Sequence, residues 1–185
     1  MGCFCWVPLF WAIRKSAPWR AFQLGLLAGV LQCAVSFYWL YTALDSFGRL
    51  SSWQSFGLLC CLFLVLAAFL GAALGIARWI QGKTHISPLL VFPVVWVACD
   101  FVLNRWPFGG FPWGQAVYSQ SGFLPFLQIA DATGVYGVTA LLVFVNQGLC
   151  LALERASGLR IFSFGADLAA SGRNSRRYRA AERYP

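Results

Sequence analysis

Apolar residues in this chain continue for whole stretches instead of recurring on one face of a helix. Residues 21–44, AFQLGLLAGVLQCAVSFYWLYTAL, carry no charge. Residues 56–77 and 133–153 carry none either, and residues 88–103 carry one, Asp100. A helix needs about 20 apolar residues to cross the hydrocarbon of a bilayer. These four runs are therefore predicted to be membrane spans. Residues 3–13, CFCWVPLFWAI, are apolar but too short to cross, and predict a short helix.

The breaks between runs have their own chemistry. Asp45 to Ser55 reads as a polar turn with Gly48 and Arg49, and Arg78, Lys83 and His85 make the next loop. Ser87 and Pro88 suit an N-cap and first helical position, and Pro93 predicts a kink. Gly71 and Gly75 have the small-xxx-small spacing that permits close helix contact. The run Arg105-Trp-Pro-Phe-Gly-Gly-Phe-Pro-Trp-Gly cannot be one continuous helix, so residues 104–132 are predicted as an irregular interfacial segment. Residues 154–185 are polar, Arg-rich and without periodicity, which predicts a disordered tail.

Composition agrees with the pattern. Of 185 residues, 59% are hydrophobic and only 11% charged, against roughly 25% charged in soluble domains. Mean hydropathy is +0.67. An ordinary soluble enzyme, a disordered chain and a disulfide-stapled domain are excluded. The fold class is an all-α membrane protein, a polytopic helix bundle with an interfacial segment rich in Gly, Pro and aromatic residues.

A net charge of +8 could suggest nucleic acid, but the basic residues lie between the apolar runs and in the tail. That is membrane topology, not phosphate binding. Arg14, Lys15, Arg20, Arg78, Lys83 and seven tail arginines make up twelve of the 14 Lys and Arg. The positive-inside rule puts all of these in the cytoplasm and residues 104–132 on the outer side.

Catalytic and metal constellations are scarce. The seven cysteines contain no CxxC pair and read as small packing residues. The one histidine, His85, lies in a loop, and both lysines, Lys15 and Lys83, belong to the cytoplasmic group. No metal site and no cofactor are expected.

Two features stand out. Asp100 lies near the outer end of its run, where a carboxylate in a membrane helix costs roughly 2.5–3.5 kcal/mol at mid-bilayer. Such residues face a bundle interior or a polar cavity, or else snorkel to the surface; Arg105 is a possible partner. The second is residues 106–120, WPFGGFPWGQAVYSQ, whose broken backbone must find partners at the interface. An aromatic belt would account for the Trp and Tyr there, but it does not require Gly-Phe-Pro-Trp in order.

That ordered run, Gly110-Phe111-Pro112-Trp113, is followed by Tyr118-Ser119-Gln120, by Gly134-Val135-Tyr136-Gly137-Val138 and by Asn146. With Phe37-Tyr38-Trp39-Leu40-Tyr41 and Pro93-x-x-Trp96 upstream, residues 5–153 resemble the apolipoprotein N-acyltransferases of bacterial inner membranes. The resemblance implies a multi-pass membrane bundle bearing a periplasmic nitrilase-like domain. In that domain a Glu-Lys-Cys triad takes an acyl chain from phospholipid as a thioester. It then delivers the chain to the diacylglyceryl-cysteine of a lipoprotein. The implied partners are therefore phospholipid, a diacylglyceryl lipoprotein and membrane lipids, with no nucleic acid.

This chain departs from the family pattern. It begins around the family's second membrane helix and ends after the sixth, without counterparts of the catalytic Glu, Lys and Cys. The expectation is a truncated membrane-domain portion, inactive alone. Asp100 stands where the family usually has Glu, and Leu103 where it often has Arg. Carried over as lipid contacts or supports of the catalytic domain are Gly110, Trp113, Tyr118, Gln120 and Asp100. The rival reading is a non-enzymatic polytopic protein, a transporter fragment or an assembly subunit.

Overall fold

The computed structural model describes residues 4–48, 51–106, 109–122 and 124–156. Cys3, Pro107, Phe108 and the tail from residue 157 onward lie outside them. Among the described residues are six α-helices and no strand. They are α1 (Val7–Ile13), α2 (Pro18–Ser36), α3 (Trp39–Ser46), α4 (Ser52–Lys83), α5 (Pro88–Leu103) and α6 (Leu124–Ala156). The protein is an all-α membrane protein. Helix α4 and residues 128–156 of α6 are each long and apolar enough to cross a membrane, and α2 with α3 would make a third crossing if that bent pair is one span. Helix α5 is apolar with 16 residues, about 24 Å at 1.5 Å per residue.

Three boundaries differ from those read in the sequence. The charge-free run 21–44 is not one helix: α2 ends at Ser36, and α3 leaves at 62°. The elbow is Phe37, buried with φ −122° and ψ 16°, so an aromatic anchor turns the chain where hydropathy shows no break. Helix α4 begins at Ser52, inside the expected polar turn. Ser51 and Gln54 form a reciprocal capping box there, with the Gln54 side chain accepting the Ser51 N–H at 3.0 Å. Residues 124–132, expected to be irregular, are helical, and the interruption falls at Gly134, where φ is +69°. Only a residue without Cβ takes that conformation readily.

The α2–α4 contact is built from small residues on both sides. A Cβ added to Gly25 would lie 2.9 Å from Gly71 Cα, and one added to Gly29 would lie 2.7 Å from Ala67 Cα. The two backbones touch without side chains between them. Gly71 thus has its partner on α2, in Gly25, which hydropathy alone had absorbed into a span.

Short helix α1 fills the interior. Phe10 and Ile13 are each 1% exposed. Phe10 packs edge-on against Phe92 of α5 at 5.3 Å, and Trp6 lies 4.6 Å from Trp96. The Trp6 backbone N–H at the start of α1 donates to Oδ1 of buried Asn146 on α6 at 3.2 Å, and the Asn146 amide donates to the Leu142 carbonyl at 2.8 Å. At the other end of α1, Arg14 approaches Glu154 of α6 at 3.9 Å. The Arg78 guanidinium of α4 donates twice to the Ser16 carbonyl, at 3.2 and 3.3 Å. This basic end of the bundle is locked by charge-assisted bonds, which are stronger than neutral ones.

Candidate functional site

The opposite end carries the Gly-Phe-Pro-Trp run. Gly109 and Gly110 both have positive φ, +90° and +93°. They turn the chain back over the end of α5, where the Phe111 N–H donates to the Leu103 carbonyl at 3.0 Å. A Cβ on Gly110 would collide with the Asn104 carbonyl, whereas Gly109 has open space around it. Phe111 then meets two rings edge-on: Phe37 at the α2–α3 elbow at 5.3 Å, and Trp113 at 5.1 Å. Two 3₁₀ turns, Pro112–Gly114 and Ala116–Gln120, complete the segment, and Ala116 and Val117 bury themselves in the core.

Beside this segment lie two adjoining, partly open spaces. An outer groove of about 410 Å³ runs between the elbow, at Ser36 and Trp39, and the segment, at Trp113, Gln115 and Ser119. A cavity of about 70 Å³ lies deeper, reaching Asp100 and Cys99 on α5. Trp6, Gln32, Phe37, Gly114 and Ala116 line both, so a single wall of residues separates or joins them.

Of the five residues singled out in the sequence, three belong to this arrangement. Gly110 makes the turn, Trp113 forms part of the groove wall and is 65% exposed, and Asp100 lines the cavity. Tyr118 and Gln120 line neither space. Tyr118 is half exposed, while Gln120 is buried and donates to Ser119 Oγ at 2.9 Å, inside the segment. Arg105 does not pair with Asp100 among the described residues. Its guanidinium donates to the Tyr136 hydroxyl at 3.3 Å and to the Phe101 carbonyl at 3.2 Å. Asn104 donates to the same hydroxyl at 3.2 Å, so the Gly-Val-Tyr-Gly-Val motif holds the end of α5 from α6.

Sequence reading missed Trp6, Gln32, Gln115 and the basic cluster of Arg14, Arg78 and Glu154. Gln32 had a signal, as one of two amides, with Gln23, in a charge-free run. Trp6 had none, because nothing local says that α1 lies inside the bundle. Among the described residues, no three His, Cys, Asp or Glu side chains converge on a metal-sized site.

Residues 1–148 match the model of the apolipoprotein N-acyltransferase N-terminal domain. The chain belongs to the apolipoprotein N-acyltransferase family. It is 34% identical over 147 residues to the apolipoprotein N-acyltransferase of Geobacter metallireducens, covering 79% of this chain and 28% of that protein. The Pasteurella multocida enzyme is 36% identical over 135 residues, 73% of this chain and 24% of its own. That of Chromobacterium violaceum is 32% identical over 152 residues, 80% and 28%. The chain spans about a quarter of the length of these curated relatives, in their N-terminal part. No solved structure matches it.

Within the family match lie both spaces, the elbow and the whole Gly-Phe-Pro-Trp segment. The groove wall combines aromatic rings, Trp39 and Trp113, with the polar side chains of Ser36, Gln115 and Ser119. Apolar rings beside amide and hydroxyl groups suit a molecule with an acyl chain and a polar head. The 185 residues contain two lysines, and Lys83 is engaged over the Trp79 ring at 4.1 Å on the basic end. Among the described residues that line the groove there is one cysteine, Cys5, and no lysine or glutamate.

Proposed function

We propose that this domain handles lipid for apolipoprotein N-acylation. It receives the phospholipid acyl donor and the diacylglyceryl-cysteine of a lipoprotein at the groove, and supports a catalytic domain of the family's nitrilase-like kind. The groove beside the Gly-Phe-Pro-Trp segment carries this reading. Its rings offer apolar contact and its amides and hydroxyls offer hydrogen bonds, as a headgroup with acyl chains requires. The reaction itself, thioester formation and transfer, uses a Glu-Lys-Cys triad; the groove is lined by one cysteine, Cys5, but by no glutamate or lysine, and a polypeptide of these 185 residues is proposed to be inactive by itself. Family membership favours this reading over a transporter or an assembly subunit.

The domain is proposed to sit in a bacterial inner membrane as a four-span bundle. The basic end faces the cytoplasm and the groove the periplasm, following the Lys and Arg distribution. Alkaline phosphatase fused after residue 125 is expected to be active, and fused after residue 160 inactive. The reverse pattern would overturn the orientation.

The role of Trp113 tests the lipid reading. A ring that only marks the interface is replaceable by Phe, because any amphipathic or apolar ring serves there. Trp113 is instead aimed by Pro112 and propped on Phe111. With residues 5–153 in place of the corresponding region of a complete family enzyme, Trp113→Phe is expected to lower acyl transfer about tenfold, the worth of one lost hydrogen bond, at unchanged protein level. Tyr41→Phe is the control and is expected to change neither. Full activity of Trp113→Phe would reduce the residue to interfacial decoration.

A further inference from the structure

Asn146 lines neither space and touches none of the residues marked in the Gly-Phe-Pro-Trp segment. It is 0% exposed, an amide inside a helix long and apolar enough to cross a membrane. Such a group is costly to bury unless it is hydrogen-bonded. Its Nδ2 donates to the Leu142 carbonyl at 2.8 Å. A carbonyl only accepts, so this bond fixes the amide and presents Oδ1 to the Trp6 N–H at 3.2 Å.

Helix α1 needs that acceptor. It has seven residues, a proline in its first turn and no side-chain cap of its own, and helices so short are marginal alone. In a capping box the side chain at the third helical position takes the N–H of the cap residue. Here that position is Leu9, which has no acceptor to offer, and Asn146 of α6 does the task from 140 residues away. The Trp6 carbonyl accepts from the Phe10 N–H at 2.9 Å, so both backbone groups of Trp6 are bonded. The ring of Trp6 lies 4.6 Å from that of Trp96, and Trp6 lines both the cavity and the groove.

We infer that Asn146 is a positioning residue for the groove: by capping α1 from α6 it holds Trp6, and with it the wall that the two spaces share. Its effect passes from the amide to the Trp6 backbone, and from there to the ring packed on Trp96. Without the acceptor, the first turn of α1 keeps a buried N–H with no partner, and frays to find one. Asn146 is remote from any bond that is made or broken, so its loss changes how well lipid is held and not how fast the acyl chain is transferred. This inference rests on the lipid reading of the groove and adds the residue that sets its inner wall.

Fluorine NMR of the full 185-residue chain in detergent, labelled with 5-fluorotryptophan, tests the first link. Trp6→Phe assigns the Trp6 signal, and the same route assigns the others. Asn146→Leu keeps the bulk of the side chain and removes the acceptor. It is expected to shift or broaden the signals of Trp6 and Trp96, and to leave those of Trp19 and Trp79 in place. Gln147→Leu is the matched control, since Gln147 is also a buried amide, 6% exposed, whose Oε1 makes no hydrogen bond. It is expected to leave the Trp6 signal unmoved. The second link is read with residues 5–153 in place of the corresponding region of a complete family enzyme. There Asn146→Leu is expected to raise the KM for phospholipid about fivefold, the size of one neutral hydrogen bond, with kcat within about twofold of the parent. An unmoved Trp6 signal in Asn146→Leu, equal changes in Gln147→Leu, or a fall in kcat at unchanged KM overturns the inference. So does a KM raised by Trp6→Leu but not by Asn146→Leu. If Trp6→Leu itself leaves KM unchanged while Asn146→Leu moves the Trp6 signal, the lipid reading of this wall fails and the cap on α1 stands. Should Asn146→Leu aggregate, hydrogen exchange in the parent chain decides. The Trp6 N–H is expected to exchange at least about tenfold more slowly than that of Trp53, at the exposed start of α4, and equal rates overturn the inference.

Discussion

Gly110→Ala is expected to unseat the Gly-Phe-Pro-Trp segment, while Gly109→Ala next door leaves it in place. Both glycines have positive φ, so both substitutions incur the strain of an L-residue there, about 1–2 kcal/mol. Only at Gly110 does the new methyl strike backbone, at the Asn104 carbonyl and the Arg105 nitrogen. Those atoms end helix α5 and cannot yield without breaking the Phe111 to Leu103 hydrogen bond. The added overpacking costs about 1–3 kcal/mol more. Because Phe111 props both Phe37 and Trp113, the groove wall is lost with the turn. Limited chymotrypsin digestion of the detergent-solubilised chain reads this directly. Cleavage at Trp113 and Tyr118 is expected to quicken at least about tenfold in Gly110→Ala and much less in Gly109→Ala. Equal cleavage of the parent and Gly110→Ala would show that the segment is not held by this turn.

Gly29→Leu is expected to be the most damaging change to the bundle itself. In lipid no hydrophobic force drives helices together, so association depends on close packing. At Gly29 even a Cβ would lie 2.7 Å from Ala67 Cα and 2.8 Å from its Cβ, and a leucine must push α2 off α4. The shift also moves the elbow at Phe37, since α2 ends there. Overpacking of about 2–3 kcal/mol corresponds to a fall in thermal midpoint of roughly 5–10 °C for a chain of this size. Gly57→Leu is the control: it lies on α4 with nothing within 4 Å of an added Cβ, and its midpoint is expected to stay within about 2 °C of the parent. A comparable fall for both variants would mean that leucine destabilises these helices wherever it is placed.

These two glycines were unequally legible in the sequence. Gly110 sits in a motif whose order, Gly-Gly-Phe-Pro-Trp, already required an irregular backbone. Gly29 sits in a run that reads as uniform apolar helix, because hydropathy scores a glycine without saying what lies opposite. The elbow at Phe37 was hidden for the same reason. Its surroundings are as apolar as the helix before it, and only the buried contact with Phe111, 74 residues later in the chain, marks the place. Conversely, the capping box at Ser51 and Gln54 was legible, and was overlooked because the polar residues around it suggested a loop.

Sequence alone determined the class of molecule, since a chain with 11% charged residues and long charge-free runs can satisfy its backbone in lipid only as helices. It also determined the family, through short ordered motifs, and it singled out Asp100, whose charge is costly wherever it lies in a span. Tertiary structure decided which of the marked residues share a site. Trp113 and Asp100 line adjoining spaces, whereas Tyr118 and Gln120, closer to Trp113 along the chain, line neither. It decided as well that Arg105 turns to Tyr136 and does not pair with Asp100 among the described residues. The physical reason is that hydropathy, caps and glycine turns are local and act within a few residues. The groove instead arises where the residues just ahead of α1, the α2–α3 elbow and the 109–120 segment are packed against one another, and no local signal encodes which residues meet across it.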